Sequence, residues 1–229
     1  MKNFFFEVNK NYHQSLEVSN ITDFWTNQVC RRIAAVIVII INPTSITPNM
    51  VTGLSFFLNL IANYQILSCE LGLAALFFFI SFIMDCVDGQ LARKRDTISK
   101  FGIYLDLVLD GLKDLVTFIV LISYFSNGFF FNYSLLAMLI VSFSLILDWV
   151  IKIVVNKVKE TKQKPSGIFS KYGIVFWSGP IRNFLIICCL TFKIPEVIIL
   201  YSCFPGIYFT IRKGWAIIDL LQKNKGIRV

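Results

Sequence analysis

Charged side chains, histidine and paired cysteines are scarce in this sequence. Only 16% of its 229 residues are charged, against about 25% in an average soluble domain. Together with a hydrophobic content of 56%, this shortage argues against an ordinary soluble enzyme, a disordered chain or a collagen. His13 is the single histidine, and the six cysteines form no C-x-x-C pair, so zinc and disulfide frameworks are set aside.

The hydrophobic excess instead indicates an integral membrane protein. A transmembrane helix needs about 20 apolar residues, so this length holds six or seven helices and little else. The net charge of +8 suits loops that touch anionic lipid or a pocket that binds phosphate. Nucleic acid is not expected, because no soluble domain with interleaved basic and aromatic residues is present. Residues 1–20 lack the long apolar core of a signal peptide.

We therefore predict an all-α integral membrane protein with six transmembrane helices after an N-terminal interfacial helix. The interfacial helix covers Asp23 to Ile41, whose apolar part is too short to cross the hydrocarbon. The six spans are predicted at 51–67, 71–91, 101–125, 133–155, 172–192 and 197–218. The domain organisation is then a cytosolic segment with the interfacial helix (1–47), a six-helix membrane domain (48–221) and a short cytosolic tail (222–229).

Lysine and arginine set the expected orientation. They are concentrated in the N-terminal segment, in the loops after spans two and four, and in the tail, whereas the opposite side has only Lys193. Because cytosolic loops carry the excess of positive charge, both termini and these two loops should face the cytosol. The prediction is a multi-pass membrane protein with its polar site on the cytosolic side.

Two of the predicted spans contain acids that lipid alone would not tolerate. Asp85 and Asp88 are three residues apart near the end of span two, and Asp106 and Asp110 are four apart in span three, so each pair shares a helix face. A charge near the bilayer centre costs at least about 2.5–3.5 kcal/mol. Four acids in one pocket repel each other unless cations hold them, and oxygen ligands select Mg²⁺, Mn²⁺ or Ca²⁺.

These acids and the small residues between them match a known pattern. The chain resembles the CDP-alcohol phosphotransferase family, whose signature is D-x2-D-G-x2-A-R-x8-G-x3-D-x3-D. All eight positions and spacings are present, from Asp85 to Asp110. The interfacial helix with six spans is also that family's architecture.

The resemblance implies a chemistry and a site. A substituted phosphate group, commonly phosphatidyl from CDP-diacylglycerol, would pass to the hydroxyl of an acceptor alcohol with release of CMP, in phospholipid biosynthesis. Two divalent cations, Mg²⁺ or Mn²⁺, would be held by the four acids, with Asp110 also the catalytic base. The implied CDP-binding residues are Asn49, Thr52, Gly89, Ala92, Arg93 and Gly102. The partners are the CDP-linked donor, the small alcohol and the bilayer; a homodimer stays open.

Several alternatives remain at this stage. The acids could form ion pairs with nearby cations such as Lys113, which we expect to offset carboxylate charge. A divalent-cation transporter or an intramembrane Asp-rich prenyltransferase could use similar acids. The acceptor is undetermined among inositol phosphate, glycerol 3-phosphate, inositol, serine and an amino alcohol. Arg182 either binds acceptor or substrate phosphate or pairs with Asp148 or another buried acid, and Lys152 either pairs with Asp148 or faces the acceptor.

Overall fold

All regular secondary structure in the described residues of this computed structural model is helical. The structure describes residues 2–17, 25–126, 128–159 and 179–225. A π-helical turn at Thr26–Cys30 leads directly into the second helix. The helices are α1 (Lys2–Glu17), α2 (Arg31–Ile41), α3 (Pro48–Leu67), α4 (Leu71–Lys94), α5 (Lys100–Tyr124), α6 (Phe131–Lys159), α7 (Gly179–Thr191) and α8 (Glu196–Lys225).

The helix bounds agree closely with several predicted spans. Helices α3, α4 and α5 begin within three residues of the predicted starts, and α8 begins one residue before its predicted start. The predicted fifth span is represented by α7, and its first seven residues, 172–178, lie outside the described residues. The predicted interfacial helix is represented by the π-helical turn and α2, with residues 23 and 24 also outside.

Helix α1 is a feature that the sequence analysis left without a structure. Its exposed side carries Phe5 and Phe6, whereas Asn11, Tyr12 and Ser15 are buried. The Asn11 side-chain amide donates a 3.1 Å hydrogen bond to Gln90 of α4. Polar contacts, rather than an apolar stripe, therefore dock this helix beside the end of α4.

Local sequence explains where the two helices that begin beside the site start. Pro48 occupies the first turn of α3, and the Thr47 hydroxyl before it accepts a hydrogen bond from the Met50 amide. At the start of α5, the Ser99 hydroxyl accepts a 2.9 Å bond from the Gly102 amide. Both are side-chain caps of helix N-termini, with Pro48 in a position where a missing N–H has no cost.

The faces of α3 are inverted relative to a helix of a soluble protein. Its exposed side is an apolar stripe of Met50, Leu54, Phe57, Leu60, Tyr64 and Leu67, each more than a third exposed. Its buried side carries Thr52, Ser55, Asn59 and Asn63, each at most 5% exposed. A continuous apolar surface of this kind indicates contact with lipid. Within the described residues, α3 and α4 are the helices long and apolar enough to cross a membrane.

Helix packing brings α4 to the centre of the described structure. Helix α4 packs against α2, α3 and α7, while α3 also packs against α5, and α6 packs against α5 and α8. Ser55 and Ser81 each donate a hydrogen bond to the other's carbonyl, at 2.9 and 2.8 Å, which joins α3 closely to α4. The larger apolar core includes Phe118 and Leu121 of α5 together with Leu190 of α7. The acids of α4 and α5 lie toward the end of the bundle where α2 packs.

Candidate active site

Three of the four predicted metal-binding acids lie together between α4 and α5. Asp85, Asp88 and Asp106 each place one carboxylate oxygen within 4.8 Å of the others. Asp88 is only 6% exposed, and within the described part of the chain its Oδ2 has no hydrogen-bond partner. We call these three residues the acid cluster. A buried carboxylate oxygen without a partner is costly unless something else binds it.

The fourth acid joins the acid cluster through a lysine. The Lys113 ammonium lies 2.5 Å from Asp85 Oδ1 and 3.1 Å from Asp110 Oδ1. Asp110 thus lies beside the three clustered acids rather than among them, and its side chain is 48% exposed. Lys113 offsets carboxylate charge, as its place in the sequence indicated.

The residues present fit divalent cations. Carboxylate oxygens converging on one point, one of them buried without a protein partner, form the hard-oxygen donor set that Mg²⁺ and Mn²⁺ prefer. A single ammonium cannot neutralise four acids, so the charge of the site also favours further cations.

A cavity of about 290 Å³ opens beside the acid cluster, between the ends of α3, α4 and α5. All six residues predicted for CDP binding line it, and so do Asp88 and Asp106. The remaining lining residues come mainly from the loop that joins α4 to α5. The predicted nucleotide residues are: Asn49, Thr52, Gly89, Ala92, Arg93 and Gly102.

Of two glycines that line this cavity, Gly102 stands where a side chain would crowd it. A Cβ on Gly102 would lie 3.1 Å from Ser99 Oγ and 3.2 Å from Asn49 Oδ1, tighter than ordinary contacts. A Cβ on Gly89 would make only an ordinary contact, at 3.4 Å, with the flexible Arg93 guanidinium. Gly102 therefore lets α5 approach the start of α3.

Arg95 fixes the loop before α3, a role that was not predicted from the sequence. Its guanidinium donates hydrogen bonds of 2.5–3.0 Å to four backbone carbonyls of that loop. The acceptors are Ile41, Asn42, Thr44 and Ile46. One side chain from the end of α4 thus sets the position of α3, which carries Asn49 and Thr52. Residue spacing gave no signal for this role, because the partners are carbonyls.

A second cavity of about 180 Å³ reaches the acids from the side of the π-helical turn. It shares Asp88 and Asp106 with the first cavity and adds Arg31 and Gln90. The Gln90 amide donates to the Arg31 carbonyl at 3.2 Å, and Arg31 donates to the Ser15 carbonyl at 2.5 Å. Helix α1 therefore supports one wall of a second approach to the acid cluster, a feature that sequence reasoning missed.

The two residues predicted for acceptor binding have different outcomes. Arg182 of α7 is 4% exposed and pairs with Asp114 of α5, whose side chain is 13% exposed. Of the two interpretations left open for Arg182, the structure thus shows the ion pair, but with Asp114 rather than Asp148. Lys152 lies on α6, and its side chain and that of Asp148 lie outside the described side chains.

The fold and the site define an α-helical membrane protein with an acidic, metal-compatible centre beside a cavity of mixed polar and apolar lining. The chain belongs to the CDP-alcohol phosphatidyltransferase family, whose sequence profile matches residues 45–211. The resemblance predicted from the eight signature residues is thereby confirmed. The family does not favour a cation transporter or a prenyltransferase.

Curated relatives with similar sequences carry several acceptor names. The chain is 38% identical over 69 residues to archaetidylinositol phosphate synthase of Pyrococcus horikoshii, covering 30% of this chain and 37% of that one. It is 38% identical over 95 residues to CDP-diacylglycerol–serine O-phosphatidyltransferase of Helicobacter pylori, covering 40% and 38%. A probable CDP-diacylglycerol–inositol 3-phosphatidyltransferase of Arabidopsis thaliana is 31% identical over 153 residues, covering 67% and 64%. The chain thus spans less than two fifths of the length of the first two relatives.

Solved structures confirm the fold. Phosphatidylinositol phosphate synthase of Mycobacterium tuberculosis in its apo form superposes with a TM-score of 0.53 at 17% identity, covering 81% of this chain and 93% of that chain. The same protein has been solved with CDP-DAG bound, and with manganese and citrate. At this identity the likeness shows a common helical membrane fold.

Proposed function

We propose that the protein transfers a substituted phosphate group, phosphatidyl in the simplest case, from a CDP-linked lipid to the hydroxyl of a small alcohol. The observation that carries this proposal is the 290 Å³ cavity, which gathers all six predicted nucleotide residues and shares Asp88 and Asp106 with the acid cluster. A donor whose CDP group occupied this cavity would present its pyrophosphate to the acids. Family membership and the relatives' names support the same reaction class.

The chain's own residues would bind and orient the donor. Arg93 lines the cavity beside Gly89 and supplies a fixed positive charge suited to phosphate oxygens. Asn49 and Thr52, at the start of α3, supply polar groups on the opposite wall. The apolar outer stripe of α3 would let the lipid chains stay in the bilayer while the nucleotide is held in the cavity.

Asp85, Asp88, Asp106 and Asp110 would hold divalent cations, and we propose two. When bound, such ions offset the charge of the pyrophosphate and of the attacking and leaving oxygens. The buried Asp88 oxygen without a partner and the convergence of three carboxylates support this assignment.

Asp110 would act as the base. The acceptor hydroxyl would lose its proton to an Asp110 carboxylate oxygen while its oxygen attacks the phosphorus distal to cytidine. A new P–O bond forms, the bond to the bridging oxygen breaks, and CMP leaves with that oxygen. Lys113, 3.1 Å from Asp110 Oδ1, would hold the carboxylate in place during this transfer.

The cytosolic orientation, the two flanking segments 1–47 and 222–229, and the six-span count are parts of the same proposal. The basic loops support the orientation through the excess of positive charge on the cytosolic side. Lys152 remains a proposed acceptor residue. Arg182 gives no argument for a phosphorylated acceptor, because Asp114 already matches its charge.

An acceptor panel tests the proposal. The purified protein would be given CDP-diacylglycerol, Mn²⁺ and, in separate reactions, inositol, inositol phosphate, glycerol 3-phosphate, serine or an amino alcohol, with CMP as the readout. We expect CMP release above the acceptor-free rate with one of these. We propose inositol-type acceptors and serine as the first to test, a choice that the relatives' names support. Acceptor-independent rates throughout would contradict the proposal.

A further inference from the structure

Lys113 carries a positive charge into the centre of the acidic site. The residue is 9% exposed and lies outside the eight-position signature, so the family resemblance assigns it no role. Its ammonium reaches Asp85 on α4 at 2.5 Å and Asp110 on its own helix at 3.1 Å. We propose that Lys113 is a positioning residue that aligns these two acids and, as a built-in cation, limits how tightly the site retains divalent ions. This inference rests on the metal site of the proposed function.

Lys113 connects α5 to α4 at the acid cluster. Lys113 and Asp110 are three residues apart on α5, so they share a face that is turned toward α4. The ammonium bridges the two helices and donates hydrogen bonds to two carboxylate oxygens, using two of its three N–H groups. It thereby restricts the rotamers of Asp85, a member of the acid cluster, and of Asp110, the proposed base.

Lys113 also lowers the negative charge of the four acids. Four carboxylates with one ammonium carry a net charge of −3, and without the ammonium they carry −4. At a separation of about 5 Å and an effective dielectric constant of about 20, one unit charge changes the affinity for a divalent ion by well over tenfold. Lys113 therefore weakens ion binding while keeping the acids arranged when no ion is present.

The neighbouring basic residue does not share this role. Arg182 lies on α7, and its guanidinium pairs with Asp114, one residue after Lys113. A small cavity next to Lys113 is lined by neutral amides of Asn59 and Asn183 besides Asp85. The charge of Lys113 is thus directed at the proposed metal-binding acids.

The inference is tested by titrating the purified protein with Mn²⁺, without donor or acceptor. Free Mn²⁺ is measured by electron paramagnetic resonance. Lys113→Met should bind Mn²⁺ at least about tenfold more tightly than the wild type, yet release CMP at least about tenfold more slowly at saturating Mn²⁺, because Asp110 loses its donor. Lys113→Arg should restore wild-type Mn²⁺ affinity. Lys100→Met, on an exposed residue of the same helix, is the matched control and should change neither quantity.

Opposite shifts in metal affinity and turnover distinguish this role from a purely structural ion pair, whose loss would lower both. Unchanged or weaker Mn²⁺ binding by Lys113→Met would overturn the inference. If that variant and Lys113→Gln fold poorly, Mn²⁺ should restore their thermal stability by supplying the missing charge, and failure to do so would also overturn it. If Lys113→Met binds Mn²⁺ more tightly but the wild type releases no CMP with any acceptor, the proposed function is rejected and the inference about Lys113 stands.

Discussion

Gly102 shapes the wall of the candidate nucleotide cavity because it has no Cβ. The residue stands where α5 meets the start of α3, with Ser99 and Asn49 close to the place of a Cβ. The same Ser99 hydroxyl caps α5 through the Gly102 amide, so a side chain there would disturb both the cap and the cavity wall. Gly53, by contrast, has no heavy atom within 4 Å of the place of its Cβ.

Gly102→Ala should therefore raise the KM for the CDP-linked donor. A Cβ at 3.1–3.2 Å from two polar atoms forces Ser99 and Asn49 to move, and we expect a change of about tenfold, roughly 1.4 kcal/mol. Gly53→Ala is the control and should keep the wild-type KM while stabilising α3 by about 0.5–1 kcal/mol. The KM values are obtained from steady-state CMP release at varied donor concentrations. Equal KM values for the two variants would contradict the predicted effect of crowding at Gly102.

In the proposed mechanism, Asp110 accepts the proton of the acceptor hydroxyl. Asp110→Asn keeps the size of the side chain and can still accept the Lys113 hydrogen bond. It removes the base, so kcat should fall by about 10²–10⁴-fold, whereas expression and melting temperature should stay near the wild-type values. Asp96→Asn, on an exposed loop residue, should retain activity. Near-normal turnover by Asp110→Asn would remove Asp110 from the role of base.

At the scale of helices, the ion pair between Asp114 and Arg182 joins α5 to α7. Both side chains are largely buried, at 13% and 5% exposure, so each charge depends on the other. Breaking a buried pair by removing one partner typically costs about 3–5 kcal/mol, because an unpaired charge remains. The pair thus anchors the helix of the proposed base to a later part of the chain.

Asp114→Asn should lower the thermal stability of the detergent-solubilised protein, and the double variant Asp114→Leu with Arg182→Met should recover most of the loss. The recovery is expected because two apolar side chains leave no charge unpaired. If Arg182 also bound the acceptor, the double variant would regain stability but not turnover. A melting temperature of Asp114→Asn equal to that of the wild type would contradict an anchoring role.

Local signals explain the starts of two helices, although α4, whose start was predicted at its observed residue, has no side-chain cap. Thr47 and Pro48 mark the start of α3, and Ser99 marks the start of α5, through contacts within one helical turn. Helix α1 was not predicted because its buried face is polar and docks through long-range contacts such as Asn11 to Gln90. Acids and Lys113 interrupt the apolar sequence of helix α5: Lys113 pairs with Asp85 of α4, and Asp114 pairs with Arg182 of α7.

More of the site than of the fold could be predicted from the sequence, because the signature residues of the site lie in one short stretch. The spacing of acids on two adjacent helices predicted that Asp85, Asp88, Asp106 and Asp110 meet. The structure brings the first three together, and Asp110 lies beside them, joined through Lys113. The bridging position of Lys113 and the carbonyl contacts of Arg95 could not be predicted, since they depend on how helices and loops dock. The partner of Arg182 was open for the same reason.

In the whole molecule, the distribution of charge agrees with the inverted faces of α3. Apolar side chains of α3 face outward, while polar groups of α3 and the acid cluster of α4 and α5 lie between the helices. The net charge of +8 comes from basic residues outside the six predicted spans. In the proposed function, this arrangement would place the polar site at the membrane boundary, where the nucleotide and the lipid tail of one donor could both be bound.

The most direct test of this account is CMP release by the purified protein from CDP-diacylglycerol, with the productive acceptor, before and after metal removal. We predict that a chelator abolishes CMP release, that Mn²⁺ or Mg²⁺ restores it, and that Asp106→Asn is inactive at metal concentrations that saturate the wild type and Asp96→Asn. Full CMP release in the presence of chelator, or wild-type metal dependence in Asp106→Asn, would contradict the claim that the acid cluster is a divalent-metal catalytic centre.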